Sequence, residues 1–170
     1  KVFKNLPLKI SYKGELVIRG EAIIRYSDFQ RINNEIPEIE GKYKNPRNLS
    51  SGSVRQLNNE ITAKRNVNFF AFSLVSSSGE EDFNNSRKEQ IDFLEKLGFD
   101  IVEYKIVNSD NISKAVGWFA DNVSKSDLPS DGLVLTYNDI EYGSLLGSTA
   151  KFPRDSIAFK WEDEIKETVL

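Results

Sequence analysis

The sequence predicts an α+β fold in which helices pack on largely antiparallel sheets. Two observations support this class: apolar runs of strand length alternate with amphipathic segments that begin at capping residues, and no repeat or low-complexity tract interrupts the 170 residues. Single domains commonly have roughly 100–200 residues. We therefore expect one domain with one hydrophobic core.

The predicted strands share a high content of β-branched and aromatic residues. They are residues 16–24, 68–75, 101–107, 132–137 and 156–161. The run at 68–75 (NFFAFSLV) is the most apolar in the chain. We expect it to form a central strand.

The predicted helices show apolar residues at helical spacing. One runs from Ser27 to just before Pro37, one begins at Pro46, one runs from Ser86 to Gly98, and one runs from about Ser109 to Asn122. Ser27 and Ser86 each precede a Gln or Glu by three residues, which is the capping-box pattern. Asn45 is the expected cap of the helix that begins at Pro46.

The composition excludes several mechanisms. The chain has no Cys, His or Met, and its formal net charge is −3. A disulfide framework, a Cys/His zinc site, a Cys nucleophile and a Ser-His-Asp triad are all impossible within these residues. Any chemistry must use carboxylates, Lys, Arg, hydroxyl groups and the backbone.

No apolar run approaches the roughly 18–20 residues of a membrane span, and the polar N-terminal residues do not match a signal peptide. We therefore expect a cytoplasmic protein without a membrane partner. The missing initiator Met indicates that the sequence was cut from a longer chain or processed.

The charges are unevenly distributed. Residues 41–65 contain six basic side chains and one acid, a local charge of +5, whereas the rest of the chain carries −8. Arg side chains and a helix N-terminus both favour anions, so this segment is a candidate phosphate-contacting surface. A solvated basic face is the alternative interpretation, and charge alone favours it.

Three further positions suggest a site. Gly20, between Arg19 and Glu21, indicates a bulge or a close approach in a strand, with an edge-strand ion pair as the alternative. Asp131 precedes a glycine at a strand start, a pattern that a plain turn also explains. Alternation places Lys160 on the same strand face as a small Ala, away from the bulky apolar residues, where a Lys is commonly just solvated.

Six ordered blocks resemble the adenylation (nucleotidyltransferase) domain of NAD+-dependent bacterial DNA ligases. They are residues 16–21 (LVIRGE), 45–56 (NPRNLSSGSVRQ), 61–72 (ITAKRNVNFFAF), 128–134 (LPSDGLV), 146–154 (LGSTAKFPR) and 156–161 (SIAFKW). The block at 45–56 is the most specific, because related ATP-dependent ligases and capping enzymes lack it. The resemblance implies the nucleotidyltransferase fold of that superfamily.

The resemblance also implies roles for individual residues. Glu21 matches the glutamate that holds the AMP ribose, and Phe72 matches the aromatic residue, usually Tyr, that stacks on adenine. Arg47 and Arg55 match arginines that contact phosphates in nick sealing, and Arg65 is grouped with them as a DNA-phosphate residue. The resemblance thus implies that the basic segment is a functional phosphate surface.

The resemblance makes Asp131 a catalytic residue associated with the metal, and Lys160 the catalytic lysine that neutralises the AMP phosphate. Val134 and Thr136 fall in the cofactor-binding strand. Thr136 departs from the family pattern, because a second lysine is usual there and Thr brings no charge. We expect that contact to be weakened or supplied by another group.

A second departure is the absence of KxDG, the motif whose lysine attacks NAD+ in the family. Residues 1–170 are therefore expected to be a partial adenylation domain. The nucleophilic lysine and the NMN-binding subdomain would lie upstream, and the oligonucleotide-binding (OB) domain would follow residues 167–170, which resemble the junction to it. Zinc is expected only in a domain outside this chain.

The resemblance thus implies part of a ligase that seals 5′-phosphate/3′-hydroxyl nicks through enzyme-AMP and DNA-adenylate intermediates. The implied cofactors are NAD and magnesium, and the implied partners are nicked duplex DNA and NAD+/AMP, with a monomeric parent enzyme. The 170 residues alone are expected to be inactive in self-adenylation. The alternative is a non-catalytic nucleotide- or DNA-binding module that has lost its nucleophile.

Overall fold

The computed structural model describes residues 2–37, 41–79 and 81–161. Four strands and six helices are assigned in these ranges. In chain order they are β1 (Leu16–Ile23), α1 (Tyr26–Glu35), α2 (Pro46–Val54), α3 (Asn59–Lys64), β2 (Asn68–Ser77), α4 (Arg87–Lys96), α5 (Ile112–Val123), β3 (Gly132–Thr136), α6 (Ile140–Leu146) and β4 (Ser156–Lys160). The predicted domain junction at residues 167–170 lies outside the described residues. None of the helices in the described ranges has the length and apolar character needed to cross a bilayer.

The strands form two separate antiparallel pairs. We call β1–β2 the first sheet and β3–β4 the second sheet. In the first sheet, Ile101 adds a single parallel bridge to Ala71 on β2. β2 therefore lies between β1 and residue 101, which confirms the central position predicted for the apolar run. The prediction of a mixed fold with largely antiparallel sheets is also confirmed.

The first sheet is covered by helices. Ala71 and Leu74 of β2 pack with Leu94 of α4, and all three are buried. On the other side of the fold, the end of β1 packs on α1 and α2 through a second buried cluster: Ile24, Ile32, Leu49 and Val67. Apolar burial at these two places supplies the core of the described fold.

The second sheet carries little of this core. No residue of β3 or β4 is buried against the rest of the described chain. Val134 and Ile157 remain 68% and 67% exposed. The second sheet is thus an open strand pair, connected to the first sheet mainly by polar contacts.

The local helix signals were informative at two sites. Asn45 caps α2 by accepting from Asn48 N at 2.8 Å, and Pro46 occupies the first turn, as predicted. Ser86 accepts from Glu89 N at the start of α4, and Gly98 follows that helix with φ of +91°. Both predicted helix starts are confirmed.

The capping box predicted at Ser27 is wrong. Helix α1 begins at Tyr26 after Arg25, which makes no side-chain cap. Ser27 instead donates its hydroxyl to Asp127 Oδ2 at 2.7 Å and its backbone N–H to Asp127 Oδ1 at 2.8 Å. A distant carboxylate therefore caps this helix. An anion at a helix N-terminus accepts hydrogen bonds from the free N–H groups and interacts favourably with the positive end of the helix dipole.

The strand predicted at 101–107 is also wrong, since only Ile101 pairs with β2. The residues that follow are engaged with helices instead: Tyr104 donates to Asp92 of α4 at 2.8 Å, and the Lys105 amine lies 3.0 Å from the centre of the Trp118 ring on α5. α5 begins at Ile112, later than predicted, and the short helices α3 and α6 were not predicted at all.

Candidate functional site

Four charged side chains from separate parts of the chain meet in one chain of ion pairs. Arg47 Nη2 lies 3.6 Å from Glu21 Oε1, and Arg47 Nη1 lies 3.3 Å from Asp131 Oδ2. Lys160 Nζ donates to the same Asp131 oxygen at 2.8 Å. We call these four residues the charged cluster. The side chains are 57–67% exposed, so they are accessible to a ligand.

The first-sheet half of the cluster is positioned by β1 and α2. Glu21 follows Gly20, where the register of β1 against β2 shifts. A Cβ at Gly20 would collide with Phe69 and with the carbonyl oxygen of Phe70, so only glycine fits this approach. Arg47 is fixed in the first turn of α2 by the cap that precedes it. The bulge or close approach predicted at Gly20 is confirmed.

The second-sheet half depends on strand pairing. Gly132 pairs with Lys160 in the register of β3 and β4, and Trp161 N donates to Asp131 O at 3.2 Å. A Cβ at Gly132 would collide with the carbonyl oxygen of Phe159. The backbone thus brings Asp131 and Lys160 together, and the glycine permits the close approach.

The segment before Asp131 is tied to the first half of the molecule. Tyr26 N donates to Asp127 O at 2.9 Å, in addition to the bonds from Ser27 to the Asp127 carboxylate. These bonds from Ser27 lower the pKa of Asp127, so the carboxylate stays ionised as the cap of α1. Asp127 therefore anchors the turn that carries Asp131.

Three of the residues predicted to bind the cofactor share one face of the second sheet: Val134, Thr136 and Lys160. Antiparallel pairing matches Thr136 with Ser156, Val134 with Ala158 and Gly132 with Lys160. Directly opposed residues point to the same face, so Val134, Thr136 and Lys160 lie on one side. The Thr136 hydroxyl donates to Ser156 Oγ at 3.2 Å. The predicted alternation of Ala158 and Lys160 is confirmed.

Phe72 lies at the register shift in the first sheet. Arg19 pairs with Ser73 and Gly20 pairs with Ala71, which leaves Phe72 as the extra residue of β2. Successive strand residues point to opposite faces of a sheet, and Phe72 is 43% exposed whereas Ala71 beside it is fully buried. The Phe72 ring is therefore accessible to a flat partner.

The charge of Asp131 is stabilised by its neighbours. The hydrogen bond from Lys160 lowers the pKa of Asp131, and the positive charges of Lys160 and Arg47 lower it further, whereas partial desolvation opposes them. Asp131 is therefore ionised at neutral pH. The cluster then holds two positive and two negative charges.

Comparison with known proteins places this chain in a family. The family model for the NAD-dependent DNA ligase adenylation domain matches residues 1–164. The chain belongs to this family. It is 64% identical over 170 residues to a protein named DNA ligase from Ruminiclostridium cellulolyticum, 61% identical to one from Lachnoclostridium phytofermentans and 39% identical to one from Clostridioides difficile.

These matches cover 98–100% of this chain but only 25–26% of each relative. The chain thus spans about a quarter of the length of the curated DNA ligases that it matches. The family assignment predicted from the six sequence blocks is confirmed. The roles of individual residues in the adenylation domain stay predictions.

Two other arginines of the basic segment occupy different environments in the adenylation domain. Arg55 is exposed at the C-terminal end of α2 and takes part in none of the ion pairs found between described residues. Arg65 is half-buried, donates to Tyr43 and Ser53 at 3.3 and 3.2 Å, and lies over the Tyr43 ring. Arg55 is the more accessible of the two to a phosphate.

The cluster can supply only part of a magnesium site. Within residues 2–37, 41–79 and 81–161, no three acidic side chains are grouped as a metal cage requires. Asp131 offers one carboxylate, and the nearest acidic member of the cluster, Glu21, lies on the other side of Arg47. Mg²⁺ commonly uses one or two carboxylates together with substrate phosphates. The residues therefore fit a metal that is shared with a bound phosphate.

A separate concave region lies elsewhere on the described surface. It measures about 630 Å³ and is lined by Lys4, Arg31, Glu35, Glu60, Ala63, Lys64 and Asn66. It contains none of the predicted site residues. It is wide open, and its lining mixes both charges without the converging donors of a built site. We favour the charged cluster as the site because its groups converge.

Sequence reasoning missed the residues that join the two sheets. Arg87 at the start of α4 pairs with Asp155 beside β4, and its Nε donates to Tyr137 O at 3.0 Å. Asn85 donates to Asp139, the cap of α6, at 2.8 Å. These contacts connect segments about 50–70 residues apart in the chain. No local motif marks them, so only tertiary structure reveals them.

Proposed function

We propose that this chain forms part of the nucleotide pocket and DNA-phosphate surface of an NAD+-dependent DNA ligase that seals nicks in duplex DNA. The observation that carries the proposal is the meeting of Glu21, Arg47, Asp131 and Lys160 in one exposed charged cluster. Family membership supports the same function. The intact enzyme would pass through enzyme-AMP and DNA-adenylate intermediates before the 3′-hydroxyl attacks.

Each side chain has a role suited to its chemistry. The Glu21 carboxylate would accept hydrogen bonds from the ribose hydroxyls, and the exposed Phe72 ring would stack on adenine. Lys160 would stabilise the negative charge that develops on the AMP phosphate during transfer. Val134 and Thr136 would line the pocket from the same sheet face as Lys160.

Asp131 would hold magnesium together with ligand phosphate oxygens. The bound metal would neutralise phosphate charge during nucleotidyl transfer. Asp131 also keeps the Lys160 amine in place through the 2.8 Å hydrogen bond. Thr136 contributes only a hydroxyl here, so Lys160 carries the positive charge of this face without a second lysine.

Arg47 and Arg55 would contact DNA phosphates at the nick. Arg65 would support α2 through its hydrogen bond to Ser53 of that helix. We expect Arg47→Ala and Arg55→Ala, made in the full-length ligase, each to slow sealing of a pre-adenylated nick by at least about tenfold, as loss of a charge-assisted phosphate contact would predict. The matched control is Lys42→Ala, an exposed lysine of the same basic segment. Unchanged sealing by both Arg variants would refute the phosphate assignment.

The 170 residues contain no KxDG motif, so they lack the lysine that the proposed first step requires. Incubation of the chain with radiolabelled NAD+ is expected to give no labelled protein. A labelled band at 19.4 kDa would contradict this. An open reading frame that continues upstream of Lys1 into KxDG would favour the ligase over a non-catalytic binding module.

A further inference from the structure

Arg47 is the one member of the charged cluster that touches both of its carboxylates. Its two terminal nitrogens lie 3.6 Å from Glu21 and 3.3 Å from Asp131. These are the carboxylates that the proposed function assigns to the ribose and to the metal. Arg47 itself is assigned to DNA phosphate. The Arg47 guanidinium is thus assigned two alternative partners: the two carboxylates of the cluster and a DNA phosphate.

We propose that Arg47 competes with the divalent cation for Asp131, so that loading of the nucleotide site releases Arg47 toward the DNA phosphate. This inference rests on the proposed function. While Arg47 pairs with the two carboxylates it neutralises them, and once the cation takes its place at Asp131 it is free to bind an anion. The arginine therefore acts as an exchangeable counter-ion.

The charge balance supports competition. Asp131 Oδ2 already accepts from both Lys160 and Arg47, so a cation that approaches this carboxylate meets two positive groups. Like charges at such distances repel even in a well-solvated site. A cation on either oxygen of this carboxylate would lie near both the Lys160 amine and the Arg47 guanidinium, so withdrawal of one of these groups would favour close binding.

The geometry identifies Arg47 as the group that moves. Lys160 is held at Asp131 by strand pairing and by the backbone bond from Trp161, and its contact is the shorter one at 2.8 Å. Arg47 reaches across from α2 with a 67% exposed side chain and longer contacts. Exposed ion pairs of this kind contribute little to stability. The side chain can therefore leave without disturbing a packed element.

The exchange couples the two ligands. A cation at Asp131 makes Arg47 available to a phosphate, and a phosphate on Arg47 makes Asp131 available to the cation. Because coupling between binding sites is reciprocal, each ligand strengthens the other by the same factor. Nucleotide loading would thus favour engagement of the nick.

The test is a titration of the chain with Mn²⁺ at low ionic strength and a constant concentration of AMP, with free Mn²⁺ measured by electron paramagnetic resonance and corrected with a blank that contains AMP alone. We expect Arg47→Gln to tighten the Mn²⁺ binding that depends on Asp131 by about two- to tenfold, the range that loss of one or two exposed ion pairs allows. The control is Lys114→Gln, which removes one positive charge from the exposed surface of α5, away from the charged cluster. It should change binding less than about twofold.

A double-mutant cycle with Asp131→Asn locates the effect. The gain from Arg47→Gln should vanish in the Asp131→Asn background. If Arg47→Gln binds Mn²⁺ no more tightly than Lys114→Gln does, or if its gain survives Asp131→Asn, the competition would be overturned while the metal role of Asp131 stays intact. Mn²⁺ binding that is the same with and without Asp131→Asn in every background would overturn both.

Discussion

The two sheets of this domain differ in how they are held. The first sheet buries Ala71 and Leu74 under Leu94 of α4, whereas the second sheet leaves Val134 and Ile157 about two-thirds exposed. Yet both sheets contribute to the charged cluster: Glu21 lies on β1 and Arg47 on the adjoining helix α2, whereas Asp131 precedes β3 and Lys160 ends β4. A single site is thus built from a well-packed half and a loosely packed half.

The side chains of the site are held in position in two different ways. Glu21 and Arg47 are held in position by the packed core, because apolar burial fixes β1 and α2. Asp131 and Lys160 depend on strand pairing and on a few polar ties, chiefly Asp127 to α1 and Arg87 to Asp155. Substitutions in the two halves should therefore act on different properties: stability in the first, site geometry in the second.

The largest expected effect is on stability. Leu94→Ala removes a fully buried side chain beneath the first sheet and should lower the free energy of unfolding by about 2–5 kcal/mol. Ile157→Ala, on the open second sheet, should change it by less than about 0.5 kcal/mol. Urea denaturation of both variants checks the contrast. Equal losses would mean that the second sheet is as well packed as the first.

A smaller effect is expected at the tie between the sheets. Asp155→Asn leaves the Arg87 guanidinium, which is 29% exposed, without its charged partner and should cost about 1–3 kcal/mol. Asp121→Asn on the exposed surface of α5 is the matched control and should be close to neutral. Amide chemical shifts of β3 and β4 should move in Asp155→Asn while those of β1 stay. Shifts spread equally over both sheets would contradict a local tie.

The smallest effect concerns pH. Lys160 and Arg47 hold the pKa of Asp131 below its usual range, so the folded state binds that proton less readily than the unfolded state does. The stabilisation is complete above the ordinary Asp pKa of about 3.9 and is lost as the pH falls through the lower folded value. Because the side chain is 59% exposed, the contribution should stay below about 1 kcal/mol.

Carboxyl-carbon NMR titration of Asp131 measures this directly. Lys160→Gln should raise the pKa of Asp131 more than Arg47→Gln does, because the hydrogen bond from Lys160 is the larger cause of the lowering. The reverse order would mean that Arg47, and not the strand partner, dominates the environment of this carboxylate.

Short sequence patterns correctly predicted those parts of the fold that depend on interactions between residues close together in the chain. The cap at Asn45 and the glycine stop at Gly98 act within a turn, so sequence sufficed for α2 and α4. The cap of α1 comes from Asp127, 100 residues away from Ser27, and no local pattern could indicate it. The strand expected at 101–107 failed because its side chains contact α4 and α5 in place of a further strand.

The site shows the same division. The residue types and the six blocks identified the family, and β-strand alternation correctly placed Lys160 on the face of Ala158. Sequence could not show that Arg47 reaches both Glu21 and Asp131, since that depends on how the two sheets meet. The ties at Asp127, Arg87 and Asp155 were missed for the same reason.

The most direct test of the site is an NMR titration of the ¹⁵N-labelled chain with AMP and Mg²⁺. If the charged cluster binds the nucleotide, the largest amide shift changes should fall at Glu21, Phe72, Asp131 and Lys160. The same titration of the Lys160→Gln variant should show these changes lost. Shifts centred on the concave region of Lys4, Arg31 and Asn66, or no saturable shifts at the cluster, would contradict it.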